Sequence, residues 1–467
     1  MVSPSPISSS QLLTGWGRTA PSRAAVVRPL DADDVERALR ERGSRGVLAR
    51  GLGRAYGDAA QNAGGEVLDM TALRAVHEVD VQGGRVVVDA GLSLDELIGA
   101  LLPFGWFPRV VPGTRHVTVG GAIASDIHGK NHHLEGSFCD HVESFELLTP
   151  AGDRLTVTRD GEPAAFAATA GGMGLTGVVL RATLRLMRVQ TSWVGEDIER
   201  ARDLDDVMAR MESGDAGYRY SVAWIDCLAR GARLGRSVLM RGDHATLDEL
   251  PARRRERPLA PPGPARLAAP PWAPNGLLRR STVAAFNELY FRRAPRLERG
   301  RLVSLGPYFF PLDAVRGWNR MYGSRGFLQY QFVVPFGAED ALRTAVERLA
   351  ESGAASFLAV LKRFGPGRGL LSFPIEGWTL ALDVPAAAPG LGPLLDGLDE
   401  LVAGAGGRVY LSKDSRLRPD ALAAMYPKLG EWSSIRDRLD PAGSMRSDLA
   451  RRLGLLAGVR ARTGATA

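Results

Sequence analysis

Gly171-Gly-Met-Gly-Leu-Thr-Gly177, followed by Val178-Val-Leu-Arg-Ala-Thr-Leu-Arg-Leu186, decides the fold class. The first seven residues contain G-x-G-x-x-G, the spacing with which a dinucleotide-binding βαβ unit turns from strand into helix. In such a unit the glycines follow a strand and open a helix. Here the residues that follow alternate with period two, which is a strand pattern. The match fails on context and argues against a nicotinamide-binding doubly wound sheet. A backbone-lined contact to an adenine or a phosphate is still compatible with it.

Two further glycine-rich stretches precede it. Arg50-Gly-Leu-Gly-Arg-Ala-Tyr-Gly-Asp58 follows the strand-like Gly46-Val-Leu-Ala49. Closely spaced glycines let backbone N–H groups turn inward around an anion, and a diphosphate is the natural guest. The other is Val111-Pro-Gly-Thr-Arg-His-Val-Thr-Val-Gly-Gly-Ala-Ile-Ala-Ser-Asp-Ile-His-Gly-Lys-Asn-His-His133. Its small residues at 120–122, 124 and 125 admit a large flat ligand close to the backbone, with His128 and Lys130 next to its reactive end. His128, His132, His133 and His141 form a histidine cluster, but no carboxylate or cysteine stands at ligand spacing, so no metal is expected. In a chain with 55 glycines, the stretch Arg50–Asp58 alone reads equally well as a turn. Three in this order within one half are more specific than any one.

Short strands surround these stretches, at Val67–Met70 and Arg85–Ala90. Ser93-Leu-Asp-Glu96 forms a capping box that opens a helix over Leu94–Leu102. A hairpin over Val142–Val157 turns at Pro150-Ala-Gly-Asp153. From Gln190 a second region carries strands over Tyr218–Asp226 and Gly326–Pro335 and helices over Leu277–Phe291 and Ala338–Ala350. The pattern is α+β in two domains. Residues 1–25 read as a loose tail, 26–189 as a first domain and 190–405 as a second. The stretch 251–275, dense in Pro and Arg, is an insert that acts as a mobile lid or surface loop.

Hydrophobic residues make up 45% of the 467 and charged residues 24%, as in globular proteins. The net charge of +7 and pI of about 9.7 come with arginine clusters at 253–255 and 279–280. They suit an anionic partner, or equally a solvated arginine-rich surface. No basic–aromatic interleaving supports nucleic-acid binding. Cys139 and Cys227 form no C-x-x-C pair. The N-terminus lacks a basic start before an apolar core, and no run approaches the roughly 18 apolar residues of a membrane span. A cytoplasmic protein, or one peripheral to the plasma membrane, is therefore expected.

The three glycine-rich elements together resemble the FAD-binding domain of the vanillyl-alcohol oxidase class of flavoproteins. The C-terminal half narrows the resemblance. Gly326-Phe-Leu-Gln-Tyr-Gln-Phe332, Phe357–Gly367 with Lys362, Phe373-Pro-Ile-Glu-Gly-Trp378, Gly407-Arg-Val-Tyr-Leu-Ser-Lys-Asp-Ser-Arg416, Met425-Tyr-Pro-Lys428 and Glu431-Trp432 are similar to the decaprenylphosphoryl-β-D-ribose oxidase family, from about Leu12 to Leu456. The resemblance implies that residues 26–189 bind FAD, that 190–405 hold the substrate and that 406–467 return to the FAD domain. It implies FAD contacts on Arg50, Gly51, Leu52, Gly53, Arg54, Ala55, Tyr56, Gly57, Asp58 and Ala59. Further contacts fall on Gly113, Thr118, Val119, Gly120, Gly121, Ser125, Asp126, Ile127, His128, Val179 and Tyr410. Many members of the wider class tether flavin through a histidine of the first loop. Arg54 occupies that place, so the FAD is expected to be non-covalent.

The resemblance also implies Lys413, His128 and Tyr56 as catalytic residues and Gln329, Gln331, Lys362 and Trp224 as substrate contacts. Lys413 would stabilise developing negative charge, His128 would exchange a proton, and Lys362 would meet a lipid phosphate. For an isolated Lys or Gln, or a strand Trp, a local structural role is the usual explanation. The implied reaction oxidises the ribose 2-hydroxyl of a polyprenylphosphoryl-β-D-ribose, the first half of 2′-epimerisation for arabinan and cell wall biogenesis. It implies a separate NAD(P)H-dependent reductase, peripheral membrane contact (the periplasmic face included) and a quinone acceptor. The family pattern N-x-C-x-D after Gly-Trp is here Thr379-Leu-Ala-Leu-Asp383, so Ala381 replaces a thiol and Thr379 an amide. That departure is compatible with a paralogue acting on another polyprenyl-phosphate sugar. The competing reading is a soluble alditol or aldonolactone oxidase of the same fold.

Overall fold

The computed structural model describes residues 8–265, 267–270, 279–353, 356 and 358–456. The expectations at 1–7, 271–278, Phe357 and 457–467 lie outside them. The architecture is α+β, built on three main sheets. A four-stranded sheet runs in the order Ser8–Leu13, Ser22–Val27, Glu66–Asp69, Val47–Arg50. A six-stranded sheet is organised around Val178–Arg188, the strand that follows the decisive glycines; it pairs with Arg85–Asp89, Val142–Leu148 and Trp106–Pro108. The predicted hairpin pairs Val142–Leu148 with Arg154–Thr158. Ser93 and Glu96 cap the helix Leu94–Leu101 reciprocally.

The third sheet has eight strands, all antiparallel. Helices Leu204–Gly214, Glu339–Ser352 and Leu391–Gly404 cover one face, where Leu342, Leu349, Leu395 and Val402 meet Ala223, Phe332, Leu361 and Leu380. Each fully buried Leu or Phe contributes about 1.5–3 kcal/mol, so this layer fixes which face is left for chemistry. The chain then returns to the first sheets. Val47 N–H donates to Ser444 C=O at 2.9 Å, and Trp432 Nε1 donates to Ala168 C=O at 3.0 Å.

Two expectations are corrected. Residues 8–25 are not a loose tail: Ser8–Leu13 pairs antiparallel with Ser22–Val27, and Ala24, Val26 and Val27 are buried. The Ser- and Pro-rich composition of the first residues masks a strand whose apolar half begins only at Ala24. The insert is not a free lid along residues 251–265. Pro258 C=O accepts from Ser192 N–H at 2.6 Å, Gly263 C=O accepts from Arg115 at 2.8 Å, and the Arg254 guanidinium lies 3.9 Å over Trp193. Prolines preclude a ladder there, yet their carbonyls are satisfied by donors of the body. The helix expected over 277–291 runs Arg280–Arg293.

Candidate active site

Alternation along three strands decides which side chains reach the uncovered face of the large sheet. In Phe327–Pro335, Tyr330, Phe332 and Val334 enter the helix-covered core, so Gln329 and Gln331 point the other way. In Gly377–Pro385, Trp378, Leu380 and Leu382 are core, and Thr379, Ala381 and Asp383 face out. Ala359 and Leu361 are core, which turns Lys362 to the same side. The register sets Gln329 opposite Asp383, Gln331 opposite Ala381 and Lys362 opposite Thr379.

Against this face lies the segment after the second glycine stretch. His128 is buried, with Nδ1 3.1 Å from Lys362 Nζ and Nε2 3.0 Å from Gln331 Nε2. Gln331 Nε2 also donates to Thr379 Oγ1 at 3.1 Å, and the Thr379 hydroxyl donates to Phe332 C=O at 2.8 Å. A second chain runs beside it. Lys413 donates to Gln329 Oε1, Gln329 Nε2 donates to Asp383, and Tyr322 lies beside the same carboxyl and helps hold its charge. The Lys413 ammonium sits 4.2 Å over the Tyr56 ring.

The chain holds 55 arginines and only four lysines, and three of the four, Lys130, Lys362 and Lys413, lie here. Among the described residues none of the three forms an ion pair. Burial, then the neighbouring Lys413 and Lys130, push Lys362 down to about 7. Burial lowers Lys130 to about 8 and lowers Lys413 too, the latter opposed by Asp383. Burial, then Lys362, holds His128 well below its ordinary range, and burial raises Asp383. The cluster is thus a set of amines that exchange protons near neutrality, which is the range general acid–base chemistry uses.

The glycine-rich loop 51–57 lies next to this cluster. A Cβ on Gly51 would fall 2.2 Å from Thr118 Oγ1 and one on Gly57 2.0 Å from Asp414 C=O, so glycine lets the first loop touch both the second stretch and the C-terminal motif. Tyr56 N–H donates to Ser412 C=O at 2.9 Å, and Tyr410 Oη donates to Ser125 C=O at 2.8 Å. A diphosphate fits this loop. Among the described residues the N–H groups of 51–55 donate to no protein acceptor, and Arg54 Nε is buried without a partner. A Cβ on Gly113 would meet nothing within 4 Å, which leaves room beside the second stretch for a flat ring.

The site brings together Tyr56, His128, Gln329, Gln331, Lys362, Tyr410 and Lys413. Other sequence-implied residues point elsewhere. Asp58 pairs with Arg452 at 2.8 Å, Asp126 accepts from Cys139 N–H at 3.1 Å, and Val119, Ile127 and Val179 enter the core, so their side chains are structural. Trp224 packs at 4.7 Å on Tyr290 in a separate apolar cluster with Ile198 and Val238. Sequence reasoning missed Tyr322, and treated Thr379 and Asp383 only as a departure from a pattern. Their period-two spacing with Ala381 was the available signal that they share the site face. Missed too was Tyr308, whose carbonyl accepts from Lys130 Nζ at 2.6 Å.

Comparison with known proteins agrees with this geometry. The FAD binding domain family matches residues 23–158. Decaprenylphosphoryl-β-D-ribose oxidase of Mycolicibacterium smegmatis is 46% identical over 95% of this chain and 97% of its own length. A Streptomyces coelicolor protein, "Uncharacterized protein in mprA 5'region", is 47% identical over 78% of this chain and 100% of its own. Cytokinin dehydrogenase 10 of Oryza sativa subsp. japonica is 34% identical over 30% of this chain and 27% of its own. With its loop for a diphosphate, its amine-rich sheet face and near-complete coverage by the mycobacterial relative, the chain belongs to the decaprenylphosphoryl-β-D-ribose oxidase family and is an FAD-dependent oxidoreductase.

Proposed function

We propose that the protein oxidises the ribose 2-hydroxyl of a polyprenylphosphoryl-β-D-ribose to the 2-keto sugar. The observation that carries the proposal is the convergence of Lys413, Gln329, Gln331, His128 and Lys362 on one sheet face beside the glycine loop. When bound, FAD supplies the hydride acceptor. Lys413 is held by Gln329 and lies against Tyr56, so its charge is preorganised where negative charge develops on the oxygen that loses its proton. Gln329 and Gln331 stand two residues apart on one strand and fix sugar hydroxyls from the same side. The FAD is non-covalent in this proposal, because Arg54 has no tethering chemistry. Loop 50–59, Gly113, Thr118–Gly121 and Ser125–His128 hold it, largely through backbone.

A keto sugar made this way needs a second, NAD(P)H-dependent reductase to complete a 2′-epimerisation towards an arabinose donor, and the reduced flavin needs an acceptor such as a quinone. A lipid-linked substrate calls for membrane contact. Residues 279–301 hold seven arginines against two glutamates, beside Leu289 and Leu297, which are 55% and 54% exposed. That face suits an anionic bilayer. Among the described residues no helix is long and apolar enough to cross a membrane. The test is product analysis after incubating the purified protein with polyprenylphosphoryl ribose, with and without quinone. A product lighter by two hydrogens at the sugar supports the proposal. Turnover of free alditols with the lipid sugar untouched refutes it.

A further inference from the structure

Hydrogen bonds around Thr379 constrain protons further along the same face. The Thr379 hydroxyl has one hydrogen and lies 2.8 Å from Phe332 C=O, an atom that can only accept. Its hydrogen is therefore committed there, and the Gln331 atom 3.1 Å away must donate to it. That fixes the Gln331 amide with nitrogen towards Thr379, an assignment made from the network rather than from the shape of the amide. The same nitrogen lies 3.0 Å from His128 Nε2, so Nε2 accepts and carries no hydrogen. A neutral imidazole with a bare Nε2 has its hydrogen on Nδ1. Nδ1–H then points at Lys362 Nζ, 3.1 Å away, and an ammonium cannot accept it.

We infer that Thr379 is a positioning residue which, through Gln331 and His128, sets Lys362 as an uncharged amine. The other groups around Lys362 agree. Lys413 and Lys130 are cationic neighbours that oppose a third positive charge. His132 accepts Gly365 N–H on Nδ1 at 3.1 Å, which leaves its own hydrogen on Nε2 facing Ser137 Oγ, so it adds no negative charge. The Phe364 ring face, 5.6 Å from Lys362 Nζ, offers an ammonium only the weak attraction of a distant cation–π contact, and among the described residues no carboxylate pairs with Lys362. Burial and these cations push Lys362 down to about 7, in the same direction as the hydrogen-bond count.

Two consequences follow. Lys362 is a base at neutral pH rather than a fixed anion anchor, so recognition of a lipid phosphate falls to other cations unless binding takes up a proton. Gln331 has spent both N–H groups, and its Oε1 is the atom left to accept a substrate hydroxyl. The inference builds on the reading of this face as the oxidation site. Its test needs no substrate, so failure of one leaves the other standing.

The four lysines make the test direct. FAD-bound protein is prepared with lysine carrying a carbon isotope at Cε, and the signals are followed by NMR as pH is raised. Exposed Lys428 serves as internal control, and Lys362→Met identifies the signal. The wild-type Lys362 signal is expected to titrate near 7. Thr379→Val frees the Gln331 amide to turn, lets Nδ1 accept from an ammonium, and should raise the midpoint by about one pH unit or more. Thr379→Ser keeps the hydroxyl and should restore the wild-type midpoint. A wild-type Lys362 that stays protonated up to the ordinary range of a lysine, about 10, overturns the inference, whatever the variants do. So does an unchanged midpoint in folded Thr379→Val.

Discussion

At the scale of single residues the sharpest expectation concerns Lys413. Its ammonium is held by Gln329 and lies over Tyr56. An electrostatic contribution of this kind is typically about 3–4 kcal/mol, or roughly 10²–10³ in rate. Lys413→Ala should bind FAD normally and reduce it that much more slowly in anaerobic stopped flow. Lys413→Arg should also be slow, because a planar guanidinium does not fit a site shaped for one point charge. A rate within a few-fold of wild type for folded Lys413→Ala removes the residue from the catalytic set. Asp383 supplies a signed pH test. As a carboxylate it raises the Lys413 pKa against burial, so Asp383→Asn should move the Lys413 limb of the reduction-rate profile to lower pH. A shift upward, or none, contradicts the chain through Gln329. Lys413 and His128 were legible in the sequence only as members of motifs. Their partners were not, because Asp383 and Tyr322 reach the site through pairings over long sequence separations that no local pattern encodes.

At the scale of elements the capping box at Ser93, the hairpin at 142–158 and the strand Val178–Arg188 were readable, because each is set by chemistry within a few residues. The N-terminal strands were not. Their partners lie in one another and at Glu66–Asp69, and the intervening Trp16 is held from outside by the Arg54 guanidinium 3.8 Å over its ring. The Trp224 strand separates two readings of one residue. Trp224 packs on Tyr290 under the helix Arg280–Arg293, so Trp224→Ala should cost about 3–5 kcal/mol, read as a lower denaturation midpoint. Trp224→Phe should restore most of the stability and leave KM within two-fold, on the order of 0.4 kcal/mol. A large KM increase in stable Trp224→Phe would return the residue to the substrate contacts.

At the scale of the whole molecule, the fold follows from two facts. The glycines at 171–177 introduce a strand instead of a helix, and one face of an eight-stranded sheet is sealed by helices while the other carries the candidate site. The FAD should dissociate on acid precipitation, and flavin that stays on the polypeptide would refute the assignment of Arg54. Thiol-directed inhibitors should leave residues 379–383 unlabelled, since Ala381 offers no sulfur and both cysteines are buried. Vesicles rich in anionic lipid should bind the protein in a salt-sensitive way, and reversal of charge at Arg293, Arg296 and Arg299 should weaken that binding at least several-fold. Equal binding by the charge-reversed variant would place the membrane contact elsewhere. The central claim is that this flavoprotein oxidises a lipid-linked ribose at the Lys413–His128–Gln331 face. It is tested most directly by mixing the oxidised holoenzyme with polyprenylphosphoryl-β-D-ribose in the absence of oxygen and following the flavin absorbance. The account predicts full bleaching of the yellow flavin with one keto sugar formed per flavin; flavin that stays oxidised with the lipid sugar but is bleached by a free alditol or aldonolactone would contradict it.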